Sequence, residues 1–499
     1  MKSTFFLLGL FCCIITVQAQ ELETNLQQIF DDFQLMGMSV WTSVEGEEQI
    51  FNFGLKDFTR NLEVDDNTKY RIASISKTSS ALGLLKLYEN GLLDLDEDIS
   101  TYFGYTVNNP AHPDVAITAR MLLSHTGSLQ DGSGYNGFLS ATYTQNPIPD
   151  IAQLLVPGGS YYTANMWRTE TPGTYFAYSN LNFGVIATLV EKISNQRFDV
   201  YMREQILQPL GITGSYYIQD IPDINDIAVL YRNQGGWTPQ TDNYQGVMPP
   251  PPAALPTYSP GTNGLYFAPQ GGLRASASEI GKFIRFIKTD GLSVLGVLSS
   301  ATLLEMKAIH WDYNGSNGDN YFGLFNRWGL GIHHANLSIN DQICPNLEYG
   351  SFLGHPGEAN GLISDAYFSE NEDIAFSFLT NGSFLGYQFG DYSAYYTLEE
   401  AVFQALCIYF SEALSVTDFS KKEISVFPNP ASDLVEVQLQ KPISLEYTIH
   451  DIHGKRILTK KENNTSRFSF SIASLSPGVY FLTVNDVSGN NYRQMVIKK

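Results

Sequence analysis

Basic residues are scarce in this chain, with 30 Lys and Arg against 51 Asp and Glu, a formal charge of −21. The scarcity is uneven. Residues 421–499 hold 11 basic and 7 acidic side chains, which leaves 19 against 44 in residues 1–420. So acidic a body repels phosphate backbones and anionic headgroups, which argues against nucleic-acid binding and basic-patch membrane binding. Charge of either sign is sparse, at 16%, while 43% of residues are hydrophobic, which excludes the composition of a disordered chain. Long apolar runs are missing too. After the N-terminus nothing reaches the roughly 18 uninterrupted apolar residues that a spanning helix needs, so no transmembrane helix is expected in the mature protein. Cysteine is rare, with four in 499 residues.

What is present begins with an export signature. Met1-Lys2-Ser3-Thr4, an apolar run from Phe5 to Val17 and then Val17-Gln18-Ala19 match the charged, hydrophobic and small-residue sections of a secretory signal, with cleavage after Ala19. Cys12 and Cys13 would leave with it. Cys344 and Cys407 remain, without metal-ligand spacing, and two readings stay open: a disulfide, or two separate buried thiols.

Leu26, Ile29, Phe30 and Phe33 recur at helical spacing over residues 21–36, and Gly37 supplies a stop. Met38–Val44 and Gln49–Leu55 follow as strands joined by a turn over residues 45–48. Ile363–Phe368 and Ile374–Leu379 are again strand-like, and Thr397–Ala413 reads as a terminal helix packed on them. Helices at both ends of one antiparallel sheet follow from this order. Residues 232–268, rich in Pro, Gly, Tyr and Asn, read as long irregular surface structure, of the kind that borders clefts. After Ser415 the pattern changes to a polar linker over 416–422 and then to alternating runs such as Val435–Leu439, Leu445–His450, Phe468–Ile472 and Val479–Val484. Turn signals at Pro428-Asn429-Pro430, His453-Gly454-Lys455 and Ser476-Pro477-Gly478 complete a small β-sandwich.

Tyr70-Arg71-Ile72-Ala73-Ser74-Ile75-Ser76-Lys77-Thr78 leads into a helix closed by Gly91. A serine at a helix start faces free N–H groups and the positive end of the dipole, which favour the negative charge that develops when a hydroxyl attacks a carbonyl. Three residues on, Lys77 returns to the same face. To take the Ser74 proton it must be neutral, which burial or a neighbouring positive charge can arrange. A capping serine before a solvated lysine would show the same spacing; the surrounding residues decide between the two. They resemble the nucleophile segment of the serine β-lactamase and penicillin-binding-protein-like hydrolases: class C β-lactamases, their esterase relatives and DD-peptidases.

That resemblance implies a β-lactamase/transpeptidase-like α/β (α+β) fold, with an antiparallel sheet flanked by helices and an all-helical subregion, and no cofactor. It implies that in Tyr175-Phe176-Ala177-Tyr178-Ser179-Asn180 the Tyr178 hydroxyl exchanges protons with Ser74 and the leaving group, while Asn180 hydrogen-bonds the substrate's acyl amide and helps position Lys77. Gly354-His355-Pro356-Gly357-Glu358 takes the place of the family's Lys-Thr-Gly strand. His355 for lysine makes the cleft charge sensitive to pH near neutrality. Pro356 for the hydroxyl residue removes a donor for a substrate carboxylate, which argues against efficient β-lactam hydrolysis. Gly357 admits close approach, and the Glu358 N–H joins that of Ser74 as an oxyanion hole. Leu122-Leu123-Ser124-His125-Thr126-Gly127, Gln270–Ala277 and Trp328–Ile332 look like family framework, with His125 structural. His333 and His334 would face opposite sides of a strand and make a poor metal pair. The implied reaction is a Ser74 acyl-enzyme on an ester or amide of a small molecule or peptide: esterase, D-amino-acid peptidase or amidase, DD-carboxypeptidase or β-lactamase. The competing reading is a non-hydrolytic penicillin-binding or sensor protein.

Val426–Asp433, Tyr447–Lys455, Leu475–Phe481 and the Lys498-Lys499 end resemble the type A C-terminal sorting domain of type IX secretion. An Ig-like sandwich that engages the secretion machinery is then expected over 423–499, after a signal peptide over 1–19, a hydrolase domain over 20–415 and the 416–422 linker. The expected location is the cell surface or the medium.

Overall fold

A computed structural model describes residues 4–345, 349–415, 424–451, 455–486 and 491–499. The 416–422 linker and the turn residues His453 and Gly454 lie outside them. Two compact units separate: residues 19–407, and one that holds the C-terminal strands.

The first helix, α1 (Thr4–Asp32), ends before the expected stop. Gln34, at φ 48°, takes the left-handed position, with its N–H on the Asp31 carbonyl and that of Leu35 on the Phe30 carbonyl. This is the paired hydrogen-bond pattern that usually falls to glycine. Gly37 serves a different end and opens β1 (Gly37–Val44), because a Cβ there would meet Leu55 O, Val64 and Asn381 within 2.9 Å. β2 (Glu47–Asp57) returns through Glu45 and Gly46, both at positive φ, a two-residue hairpin turn whose twist suits its strands. Beyond β3 (Leu62–Glu63), the helix α2 (Ile75–Glu89) is buried along almost its whole length. Together with α3 (Leu181–Ser194), also largely buried, it anchors the helical half.

The remaining strands are β4 (Trp311–Asp312), β5 (Arg327–Trp328), β6 (His333–Ala335), β7 (Phe352–Ala359), β8 (Leu362–Ser369) and β9 (Ile374–Thr380). Among the described residues they form one antiparallel nine-stranded sheet, ordered β3-β2-β1-β9-β8-β7-β6-β5-β4. β1, β8 and β9 are buried at every position, so both faces must be covered. The period-2 alternation on β9 shows how: Ser377 donates to the Ala277 carbonyl, at the start of α4 (Ala277–Lys288), while Phe376 packs on Phe403 of α5 (Thr397–Ser415). α4 opens with a capping box between Ser276 and Glu279, a device that contributes about 1 kcal/mol. Glu279 also pairs with Lys69 at 3.0 Å. Cys344 and Cys407 are joined as a disulfide, Cα atoms 5.7 Å apart, which settles the alternative left open above. Residues 232–268 are less irregular than their composition suggests, since residues 230–233 and 237–241 pair as a short ribbon.

The C-terminal strands β10 (Ile424–Phe427), β11 (Leu434–Asp451), β12 (Arg456–Ser471), β13 (Gly478–Asp486) and β14 (Asn491–Lys498) form a curled antiparallel sheet of sandwich-like form. The two sequence runs at 435–439 and 445–450 are one strand, broken in register near Ile443, where the chain bends. Val435, Val437, Tyr447, Ile449, Phe470, Leu482 and Val484 alternate inward as its core.

Candidate active site

Ser74 is the N-cap of α2 and follows Ala73, which is held at φ 47°. A left-handed non-glycine residue costs on the order of 1 kcal/mol or more and persists only where its surroundings over-determine it. Here it turns the chain from the short extended stretch at Tyr70 and Arg71, which pairs with Arg274 and Ala275, into the helix. One turn later Lys77 is fully buried, its Nζ 2.9 Å from Ser74 Oγ, 2.9 Å from Asn180 Oδ1 and 2.9 Å from the Gln270 carbonyl. Burial lowers the lysine to about 7, with Asp131 opposing the shift. The partners suit a neutral amine: two N–H groups meet two obligate acceptors and the lone pair meets a hydroxyl.

Tyr178 and Asn180 lie where the sequence pattern expects them. The Tyr178 ring sits 4.9 Å from Lys77 Nζ and its hydroxyl is hydrogen-bonded to Ser74. It packs between His125, at 4.6 Å, and Phe325, at 5.3 Å. Burial raises the phenol well above its ordinary value, the Ser74 hydrogen bond opposing and the acidic Asp131 and Glu358 adding to the rise. The group is therefore a neutral phenol.

On the other side of the cleft, β6 pairs with β7 only as far as Gly354, so among the described strands the outer edge of residues 355–359 is open. Gly357 lies against the start of α2: a Cβ there would stand 3.2 Å from Ser74 N, 3.0 Å from Ile72 O and 2.6 Å from Ser364 Oγ. Glu358 is opposite Ile363, whose N–H goes to Thr380 Oγ1 on β9. That pair is therefore a non-hydrogen-bonded one, and the Glu358 N–H points away from β8, along the open edge. The Glu358 carboxylate is solvent-exposed and takes a hydrogen bond from the Tyr396 hydroxyl.

His355 departs from expectation in its charge. Its Nδ1 donates to the Pro356 carbonyl at 2.5 Å, Nε2 has no partner among the described residues, and burial, with Lys77 adding to it, pushes the imidazole down to about 3. A titration near neutrality belongs to Lys77, because a buried ring beside an amine cannot accept a second charge. His125 is structural, as read from sequence: its Nδ1 accepts from the Ser179 N–H at 3.2 Å and burial keeps it neutral. His333 hydrogen-bonds the Tyr367 hydroxyl at 3.0 Å, whereas His334 is set among Arg327, Asp312 and His310. Among the described residues no group of three or more His, Cys, Asp or Glu is placed to hold a metal ion.

Sequence reasoning missed two features. Asp131 holds Asn180, and Tyr321, Phe325 and Trp328 form an aromatic wall around Tyr178. The first lies just past the quoted Leu122–Gly127 stretch; the second contains Trp328, quoted as framework, but nothing in the pattern aimed it at Tyr178.

Comparison with known proteins bears on this geometry. Protein flp of Staphylococcus aureus (strain MRSA252) is 24% identical over 217 residues, 43% of this chain and 42% of that one. A beta-lactamase of Providencia stuartii is 28% identical over 197 residues, 40% of this chain and 46% of that one. The chain thus spans less than half the length of the curated relatives it matches. The crystal structure of a D-amino acid amidase from Ochrobactrum anthropi SV3, complexed with L-phenylalanine, shares the fold: TM-score 0.56 at 20% identity, covering 79% of this chain and 99% of that one. Residues 425–498 match the model of a secretion system C-terminal sorting domain, which marks the chain for export to the cell surface or the medium. Residues 22–395, three-quarters of the sequence and the whole of the cleft just described, match the Beta-lactamase family model, and the chain belongs to the beta-lactamase family.

Proposed function

We propose that this protein is an exported serine hydrolase that forms an acyl-enzyme on Ser74 with an ester or amide substrate. The observation that carries the reading is the buried Lys77 amine, 2.9 Å from Ser74 Oγ and lowered to about 7. Neutral Lys77 takes the Ser74 proton as Oγ attacks the carbonyl carbon. The oxygen that gains charge is received by the N–H groups of Ser74 and Glu358. As the bond to the leaving group breaks, Tyr178 gives that group its phenolic proton and regains one from the Lys77 ammonium, so the amine is neutral again. Water then cleaves the acyl-enzyme by the same steps in reverse. Asn180 holds Lys77 and offers an amide to the acyl side of the substrate.

The strand side supports a substrate class. Pro356 has no side-chain donor and His355 is neutral, so this strand brings neither hydroxyl nor cation to a substrate carboxylate. Esters and D-amino-acid amides or peptides fit such a strand better than β-lactams or DD-carboxypeptidase substrates. The sorting domain supports transfer by type IX machinery, after a signal peptide over 1–19 is removed.

The test is a fluorophosphonate probe with mass spectrometry, followed by turnover of p-nitrophenyl esters, D-amino-acid amides and a chromogenic cephalosporin, each compared with Ser74→Ala. Labelling of Ser74 with turnover of the first two panels is expected. Labelling elsewhere would overturn the reading, and a stable adduct without turnover would identify a sensor instead.

A further inference from the structure

The segment from Leu122 to Asp131 contributes nothing to the steps above, yet it brackets the residues that do. On one side of the Tyr178–Leu181 stretch is His125, whose carbonyl accepts from the Ala177 N–H, whose Nδ1 accepts from the Ser179 N–H and whose ring packs on Tyr178. On the other side is Asp131, whose carboxylate takes four donors. Oδ1 accepts from Ser179 Oγ at 2.9 Å and the Leu181 N–H at 2.9 Å; Oδ2 accepts from the Asn180 N–H at 3.2 Å and Asn180 Nδ2 at 2.9 Å.

The last of these bonds decides an orientation. A side-chain amide has one accepting and one donating end. With Nδ2 committed to Asp131, Asn180 must turn Oδ1 the other way, where it meets Lys77 Nζ at 2.9 Å. The flipped amide would set its NH2 against the amine and lose both bonds.

We infer that Asp131 is a positioning residue of this active site, which fixes the Asn180 amide and through it the amine beside Ser74. The inference rests on the acyl-enzyme reading above. The groups that face Lys77 are Asp131, His125, Tyr178 and His355. The two imidazoles and the phenol are held neutral, which leaves the Asp131 carboxylate as the negative charge acting on the lysine. Asp131 also caps α3, and a cap alone would affect stability without affecting Lys77.

Asp131→Asn separates the two roles. The new side chain can still accept from Leu181 and Ser179, but presents NH2 to the NH2 of Asn180. Ser74 labelling by the fluorophosphonate probe should slow at least about tenfold. Loss of the carboxylate should move the Lys77 midpoint down by roughly half a pH unit, a threefold change in its protonation ratio. The midpoint is read from the 13Cε resonance of Lys77, assigned with Lys77→Arg, and needs no turnover. The exchanged pair, Asp131→Asn with Asn180→Asp, restores one donor and one acceptor between the two positions while moving the charge next to Lys77. It should label faster than either single variant and titrate above the wild type.

A lowered melting temperature with unchanged labelling rate and unmoved midpoint would reduce Asp131 to a helix cap and overturn the inference. So would an exchanged pair no faster than Asn180→Asp alone. Failure of the acyl-enzyme reading is distinct: the wild-type chain would then label at a residue other than Ser74, whatever the resonance does.

Discussion

On the helical side of the cleft Lys77 is satisfied on three sides, by Ser74, Asn180 and the Gln270 carbonyl, and Asn180 is held in turn by Asp131. On the strand side His355 spends Nδ1 on its neighbour's carbonyl and leaves Nε2 bare among the described residues, and Pro356 brings no donor at all. The two sides are built from different materials. One is a closed network made mostly of side chains, whose members constrain one another; the other offers chiefly backbone, through Gly357 and the Glu358 N–H. Proton transfer needs fixed side chains with matched affinities, whereas charge developing on a carbonyl oxygen is met by main-chain donors that any residue carries. The strand can therefore change side chains without dismantling the chemistry opposite, and specificity has room to vary there.

The sharpest way to break this contrast is to remove the helical side. Ser74→Ala and Lys77→Arg, the second because guanidinium is always charged, should each lower kcat/KM by at least about 10³-fold. A comparable loss from His355→Ala would show that the strand side shares the proton work. Tyr178→Phe should cost about 10²-fold, concentrated in substrates with poor leaving groups, which a comparison of p-nitrophenyl esters with alkyl amides will reveal. The pH profile sharpens the assignment: Lys77 is cationic below its midpoint and active above it. The kcat/KM should thus rise through about pH 7, falling roughly tenfold for each unit below, with no further limb from His355, whose value near 3 lies outside the working range. The smallest effect belongs to the strand: Pro356→Thr should improve turnover of carboxylate-bearing β-lactams about tenfold, the contribution of one charge-assisted hydrogen bond, and leave neutral esters within about twofold.

Much of this site was legible in the sequence because its members sit in local patterns. Ser74 and Lys77 share a helical face, and Tyr178 and Asn180 precede an apolar helix by three residues and one. The β1–β2 hairpin was likewise readable from its two β-rich runs, although the turn read over residues 45–48 is the tighter pair Glu45-Gly46 and β2 already starts at Glu47. Three things were not. The charge of His355 depends on burial by Trp328 and on Lys77, both distant in the chain. The end of α1 passed over glycine for Gln34, because Gly37 was needed where β1 passes Leu55 and Asn381. Asp131 is one of 51 acidic residues, and only the arrival of residues 179–181 beside it distinguishes it from the others.

The bond between Cys344 and Cys407 closes a loop over 63 positions that contains β7, β8 and β9 entire. A cytosol poised by glutathione keeps such thiols apart. Covalent closure of the segment carrying His355, Gly357 and Glu358 therefore waits for the oxidising side of the membrane, and the strand that lies against Ser74 receives its last fastening only after export.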